Sequence, residues 1–209
     1  MKQYLCWRVM RMIFAALLFG LGVSVFAESI NVKLVTSSGD IRFELYPDKA
    51  PATVVNFLKY IDGGHLNGGS FYRVVRLNNQ EQNTIKIEVI QGGLSGVENA
   101  KAFDPIPLEP TNMTKIKHLD GTLSMARSAP NSGTSEFFVC VNAQPSLDFG
   151  GKRNPDGQGF AAFGRVIEGM DVVRRIQNMK TDTPAPGKLA YTSGQSLLES
   201  VEFISFERE

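Results

Sequence analysis

The chain has few of the residues that bind metal ions or form disulfides, with two cysteines and two histidines among its 209 residues. Cys6 lies in an N-terminal leader, so Cys140 is alone in the remaining chain and an internal disulfide is excluded. Cys140 follows apolar residues, which is typical of a buried cysteine rather than a nucleophile. Two histidines and one cysteine cannot complete a structural zinc site, so the sequence predicts no metal.

An excess of charge of one sign is also missing. The full sequence has 22 basic and 21 acidic residues. Residues 1–27 hold three of the basic residues and no acidic one, which leaves 19 basic against 21 acidic residues and a net charge of −2 in the rest. Proteins that bind nucleic acids or anionic membranes usually carry a basic surface. The sequence therefore predicts no nucleic-acid partner.

The one long apolar run covers residues 12–26 and follows a basic segment. A small-residue cleavage pattern ends at Ala27, so the sequence predicts a signal peptide over residues 1–27 and a mature domain over 28–209. An uncleaved membrane anchor is the alternative, but the run is shorter than the roughly 20 residues that a spanning helix needs. We expect a periplasmic or secreted protein with no stable membrane insertion after cleavage.

Short segments of alternating apolar and polar residues indicate β-strands along most of the mature domain. Residues 30–35 and 41–45 alternate on either side of a Ser-Ser-Gly-Asp turn, which predicts a hairpin. The segment 92–118 is broken by glycine and proline and is expected to be mostly loop. Further strands are predicted over 70–76, 84–91, 121–126, 136–141 and 160–166, and around Val201, Phe203 and Phe206.

Two segments have the spacing of amphipathic helices, residues 51–61 and 170–179. In the first, apolar residues recur at i, i+3, i+4 and i+7 after a proline that suits a first helical turn. About eight strands and two helices, with no internal repeat, indicate a closed barrel or a sandwich in one domain. The two helices could cover open ends of a barrel.

The order and spacing of several motifs resemble the cyclophilin-type peptidyl-prolyl isomerases over about residues 30–206. The matching segments are PATVVNF at 51–57, FYRV at 71–74, QGG at 91–93, GTLSMA at 121–126, SEFFV at 135–139, LD at 147–148 and FGRV at 163–166. This resemblance implies a mainly β fold, a closed eight-stranded antiparallel β-barrel capped by two α-helices. The leader and the segment 125–127 are similar to those of periplasmic bacterial members.

The resemblance also implies an activity, the acceleration of cis-trans isomerisation of Xaa-Pro bonds in proline-containing unfolded or partly folded polypeptides. Arg73 matches the arginine that hydrogen-bonds the proline nitrogen, and Gln91 matches the glutamine that binds substrate backbone and helps to hold that arginine. No cofactor is implied, since the chemistry needs none, and we expect a monomer. The residues implied to contact substrate are Val89, Ala126, Phe138, Leu147 and Phe160.

Several features depart from the usual family pattern. Where the family has a phenylalanine in the pocket, this chain has Glu88, or Ile87 if the register shifts by one residue. Ser146 replaces a tryptophan, so we expect weak cyclosporin binding, and Phe160 replaces a histidine. The segment between the two polar site residues is longer than in short family members, and an extended hairpin tip at 77–84 would still let them meet.

Two other functions compete with the isomerase. A serine hydrolase would have to use His65 or His118, and the sequence lacks the Gly-x-Ser-x-Gly motif of a nucleophile elbow. The stronger alternative is a periplasmic chaperone or peptide-binding module of the same fold with weak or no isomerase activity. Glu88, expected near the groove, and the missing histidine favour that alternative.

Overall fold

The computed structural model describes residues 28–183 and 190–209, so the predicted signal peptide lies outside the described residues. Eight strands within these ranges form a closed barrel in the order β1-β2-β7-β5-β6-β4-β3-β8, and all neighbours are antiparallel. The predicted barrel is thereby confirmed. The strands are β1 (Ile30–Thr36), β2 (Gly39–Leu45), β3 (Ser70–Val75), β4 (Val89–Gly93), β5 (Thr122–Met125), β6 (Phe137–Cys140), β7 (Ala161–Glu168) and β8 (Ser196–Arg208).

Both predicted helices form, as α1 (Pro51–Asp62) and α3 (Met170–Gln177). A single helical turn, α2 (Thr111–Thr114), lies in the segment that the sequence predicts to be mostly loop. This turn ends where Lys115 adopts a left-handed backbone with φ of 61°, which cannot continue a right-handed helix. In the described ranges, none of the helices combines the length and apolar character needed to cross a bilayer.

The start of α1 is fixed by a distant carboxylate rather than by a local cap. Pro51 occupies the first turn, where its missing N–H costs nothing. Glu109 then accepts hydrogen bonds from the backbone N–H groups of Ala52 and Thr53, at 3.0 and 2.8 Å. Its negative charge suits the positive end of the helix dipole. The helix is thus anchored so that Phe57 points into the barrel, where it packs edge-on against three other phenylalanines.

The strand predicted over residues 84–91 is partly wrong, because β4 begins only at Val89. The backbone of Ile87 is bonded to a side chain instead of a neighbouring strand. Gln80 Nε2 donates to the Ile87 oxygen at 2.7 Å, and Gln80 Oε1 accepts from the Ile87 N–H at 3.2 Å. Gln80 is itself fully buried. The long connection between β3 and β4 is therefore a folded loop rather than an extended hairpin tip.

Buried apolar residues form two separate groups. The larger, which we call the barrel core, fills the barrel and includes the apolar faces of α1 and α3. The smaller, which we call the groove cluster, lies on the outer face of the sheet and contains Val75, Ile87, Val89, Phe138, Cys140, Leu147 and Phe160, with Ala126 packed against it. Because successive side chains of a strand point to opposite faces, β6 supplies Phe137 to the core and Phe138 to the groove.

Candidate active site

The structure brings Arg73 and Gln91 side by side. They are direct partners in the register of β3 and β4. Arg73 Nη1 donates to Gln91 Oε1 at 2.6 Å. A Cβ at the following residue, Gly92, would lie 2.7 Å from the backbone oxygen of Ser70, so glycine permits the close strand approach at this point.

Gln195 holds the other side of the Arg73 guanidinium. It is not among the site residues predicted from the sequence. Its Oε1 accepts from Arg73 Nε at 2.9 Å and from Nη2 at 2.6 Å, and its side chain is fully buried. Its backbone oxygen accepts from the Val74 N–H at 2.9 Å, which ties it to β3. No local motif marks Gln195, because its partner lies 122 residues away in the chain.

A chain of hydrogen bonds orients the Gln91 carboxamide. Glu136 Oε1 accepts from the backbone N–H groups of Leu94 and Ser95, and its Oε2 accepts from the Tyr72 hydroxyl. The Tyr72 oxygen in turn accepts from Gln91 Nε2 at 2.8 Å. Burial and the Glu136 carboxylate both raise the pKa of Tyr72, so its hydroxyl stays protonated. The Gln91 oxygen is thereby directed at the arginine.

Arg73 presents free donors to the groove. A guanidinium has five N–H groups; three of them are bonded to Gln91 and Gln195, and the other two have no hydrogen-bond acceptor among the described residues. No carboxylate among the described residues lies within ion-pair distance of Arg73. Burial lowers the pKa of Arg73, and the nearby charge of Arg153 adds to this. Arginine nevertheless stays charged in proteins.

Beside this guanidinium lies a cavity of about 660 Å³. Part of its wall is apolar, and the rest is polar and includes three arginines, Arg73, Arg127 and Arg153. In the apolar part, Phe138 meets Phe160 edge-on with ring centroids 5.3 Å apart. The apolar part of the cavity suits a small apolar ring. All seven residues that the resemblance places in the site line it: Arg73, Val89, Gln91, Ala126, Phe138, Leu147 and Phe160.

Ile87 and Glu88 are the two candidates for the position where the family has a phenylalanine, and their side chains lie in different places. Ile87 lines the cavity and belongs to the groove cluster. Glu88 does not line it, and its Oε2 accepts from Asn142 Nδ2 at 3.0 Å. The expectation for Glu88 is therefore corrected: its side chain bonds to Asn142 and forms no part of the cavity wall, although Ile87 and Val89 on either side of it do. One of the two arguments for a purely binding role is thereby removed.

Behind Phe138 lies a buried Ser-His-Asp arrangement that the sequence did not indicate. His118 Nδ1 and Nε2 are 2.9 Å from Asp148 Oδ1 and Ser124 Oγ, respectively. Ser124 is fully buried and does not line the cavity, so it cannot reach a substrate as a nucleophile. The imidazole instead stacks on Phe138, with centroids 6.0 Å apart and planes at 16°. The group supports the cavity wall.

The ionisation of this pair follows from its burial. Burial lowers the pKa of His118, although Asp148 opposes that effect. For Asp148, burial favours the neutral carboxyl, but hydrogen bonds from His118 outweigh it and lower its pKa. We conclude that at neutral pH the imidazole is neutral and the carboxylate is charged. Nδ1–H then donates to Asp148, and Nε2 accepts from the Ser124 hydroxyl.

The fold and this site together define a barrel-type peptidyl-prolyl isomerase, since an apolar pocket wall lies beside a guanidinium held by two glutamines. A sequence model described as "Cyclophilin type peptidyl-prolyl cis-trans isomerase/CLD" matches residues 31–191. The chain belongs to this family and is a peptidyl-prolyl cis-trans isomerase.

Several known proteins are similar to this chain. "Peptidyl-prolyl cis-trans isomerase A" of Dickeya dadantii is 36% identical over 159 residues, 76% of each chain. "Peptidyl-prolyl cis-trans isomerase B" of Escherichia coli is 38% identical over 149 residues, which are 70% of this chain and 83% of the relative. A Cryptosporidium parvum cyclophilin superposes with a TM-score of 0.64 at 20% identity, covering 87% of this chain and 98% of its own. That last similarity supports the fold alone.

Proposed function

We propose that this isomerase accelerates Xaa-Pro isomerisation in folding periplasmic or secreted proteins, and that Arg73 is its main catalytic residue. The observation that carries the proposal is the guanidinium fixed between Gln91 and Gln195 in a cavity that has an apolar wall. The predicted signal peptide over residues 1–27 supports the location. The partners are proline-containing unfolded or partly folded polypeptides, bound by a monomer without nucleic acid.

The proposed mechanism requires neither a nucleophile nor a proton transfer to solvent. Amide resonance gives the peptide bond a rotation barrier of about 18–20 kcal/mol. In the twisted transition state the proline nitrogen loses that resonance and regains a basic lone pair. A free N–H of Arg73 donates to this lone pair, an interaction that is absent in the planar ground state. Such differential binding lowers the barrier, and each 1.36 kcal/mol is worth a factor of ten in rate.

The groove cluster holds the proline ring while the bond turns. Val89, Phe138, Leu147 and Phe160 supply the apolar walls, and burial of the ring provides binding energy without restricting the amide nitrogen. The Ala126 N–H already donates to the Glu136 backbone oxygen at 2.8 Å. Ala126 therefore binds substrate backbone through its carbonyl oxygen.

An isomerisation assay on a proline-containing peptide tests the catalytic part of this proposal. We expect the purified protein to accelerate cis-to-trans conversion, and Gln91→Ala to reduce kcat/KM by about tenfold, because the guanidinium loses one of its two supports. A protein that suppresses aggregation of an unfolded client without accelerating conversion would instead be a chaperone of the same fold. Mass determination of the exported protein tests the location, with Glu28 as the expected first residue.

A further inference from the structure

Arg153 is a buried cation in the groove, and none of the described carboxylates is within ion-pair distance of it. It lines the cavity, yet only 7% of its surface is exposed. Its Nη1 donates to the Ile85 backbone oxygen and to Gln80 Oε1, but Nε and Nη2 are buried with no hydrogen-bond partner among the described residues. The undescribed segments, 1–27 and 184–189, contain no Asp or Glu, so the sequence supplies no further carboxylate.

A second arginine in the same cavity has the opposite surroundings. Arg127 also lines the cavity, but Asp156 accepts two hydrogen bonds from it, at 2.7 and 2.9 Å, and the Gly159 oxygen accepts two more. Its charge is therefore neutralised by the protein itself. Leaving a buried charge without a partner is costly, and the cost is relieved only by an anion or by movement to water. Among the described residues, Arg153 thus lacks the carboxylate that Arg127 has, and two of its nitrogens also lack the neutral hydrogen-bond partners that Arg73 has.

Arg153 and Arg73 face one tyrosine ring. The guanidinium carbons lie 5.2 Å and 5.5 Å, respectively, from the Tyr191 centroid, so they are within about 11 Å of each other. An extended peptide advances about 3.3–3.6 Å per residue, so both cations are within reach of groups three residues apart. Tyr191 is 53% exposed, so its ring can move aside without disturbing either apolar core.

We propose that Arg153 forms an anion-binding subsite that accepts an Asp or Glu side chain of the substrate, within three residues of the proline. This proposal rests on the proposed function and names the class of polypeptide that the groove prefers. Nε and Nη2 lie on one edge of the guanidinium, which is the geometry that pairs with both oxygens of a carboxylate. The Tyr191 ring lies over this guanidinium, with its centroid 5.2 Å from the guanidinium carbon. The long β3–β4 loop, through Gln80 and Ile85, holds Arg153 in place.

The test compares peptides that are identical except for one Glu or Gln, placed in turn at each of three positions on either side of the proline. We expect wild type to favour Glu over Gln in kcat/KM by about tenfold at one or two positions, the size of a charge-assisted hydrogen bond. Arg153→Gln should abolish that preference by slowing only the Glu peptide, and Arg153→Lys should restore part of it. Lys152→Gln, which removes an exposed neighbouring charge, should leave the ratio within twofold.

The outcomes separate this proposal from the proposed function. Equal rates for Glu and Gln at every position in wild type would overturn the subsite while leaving the isomerase intact. A preference that persists in Arg153→Gln would assign it to another cation and overturn the subsite as well. If no peptide were isomerised, the proposed function would fall, and the subsite would be decided by titrating the same peptides: tighter binding of Glu than Gln, lost in Arg153→Gln, supports it, and equal binding rejects it.

Discussion

The barrel core and the groove cluster are built from the same strands, but they differ in what their polar neighbours do. The barrel core contains phenylalanines packed edge-on and stacked against one another. The groove cluster is bordered by Arg73 and Arg153, which keep N–H groups available for a substrate. One face of the sheet thus provides stability and the other provides chemistry, so substitutions on the two faces should have separable effects.

The largest expected effect comes from the two neighbouring phenylalanines of β6. Phe137→Ala should lower the free energy of unfolding by about 3–5 kcal/mol, because it opens a cavity among four packed aromatic rings. Phe138→Ala should lower the free energy of unfolding by about half as much, since the cavity it enlarges is open to water. Its main effect should be a reduced kcat/KM. Urea unfolding and the isomerisation assay check both. Equal loss of stability in the two variants would erase the proposed division between the faces.

A smaller effect is expected at Gln195, which supports Arg73 from the side that sequence reasoning missed. Gln195→Ala removes two of the three hydrogen bonds to the guanidinium, so we expect kcat to fall about tenfold or more while KM changes little. Gln195→Glu should keep Arg73 in place as an ion pair and should retain more activity than the alanine variant. Unchanged kcat in Gln195→Ala would show that Gln91 alone positions the arginine.

The smallest effect concerns His118, which lies behind the groove. Burial lowers its folded-state pKa below the ordinary value of about 6.5, so below that pH the unfolded chain binds a proton that the folded protein excludes. Stability should therefore fall as the pH drops from 7 to 5.5, by up to about 1.4 kcal/mol per pH unit. Asp148 has a lowered pKa and contributes only at more acidic pH.

Urea unfolding at pH 7.5, 6.5 and 5.5 measures this loss, and the second histidine provides the control. The chain has only two histidines, so His65→Gln should retain the same loss of stability if His118 is its source. Disappearance of the loss in that variant would assign the pH dependence to His65 and would contradict the neutral, buried state of His118.

The sequence predicted much of this molecule because its signals are local. The alternation of β1 and β2, the spacing of α1 and the motifs around Arg73 and Gln91 each occupy a few consecutive residues. The start of β4 was misplaced because the Gln80 side chain, rather than a strand, satisfies the backbone of Ile87. Contacts made across long stretches of chain, such as those of Gln195 and Tyr191 with Arg73, leave no periodic pattern.

The most direct test of the account measures activity and stability together in wild type and Arg73→Ala. We predict that kcat/KM falls by at least about a hundredfold, since the donor to the proline nitrogen is lost. The free energy of unfolding should change by no more than about 2 kcal/mol, because water in the open cavity can replace the donors to Gln91 and Gln195. Full activity in a folded Arg73→Ala variant would contradict the proposed mechanism.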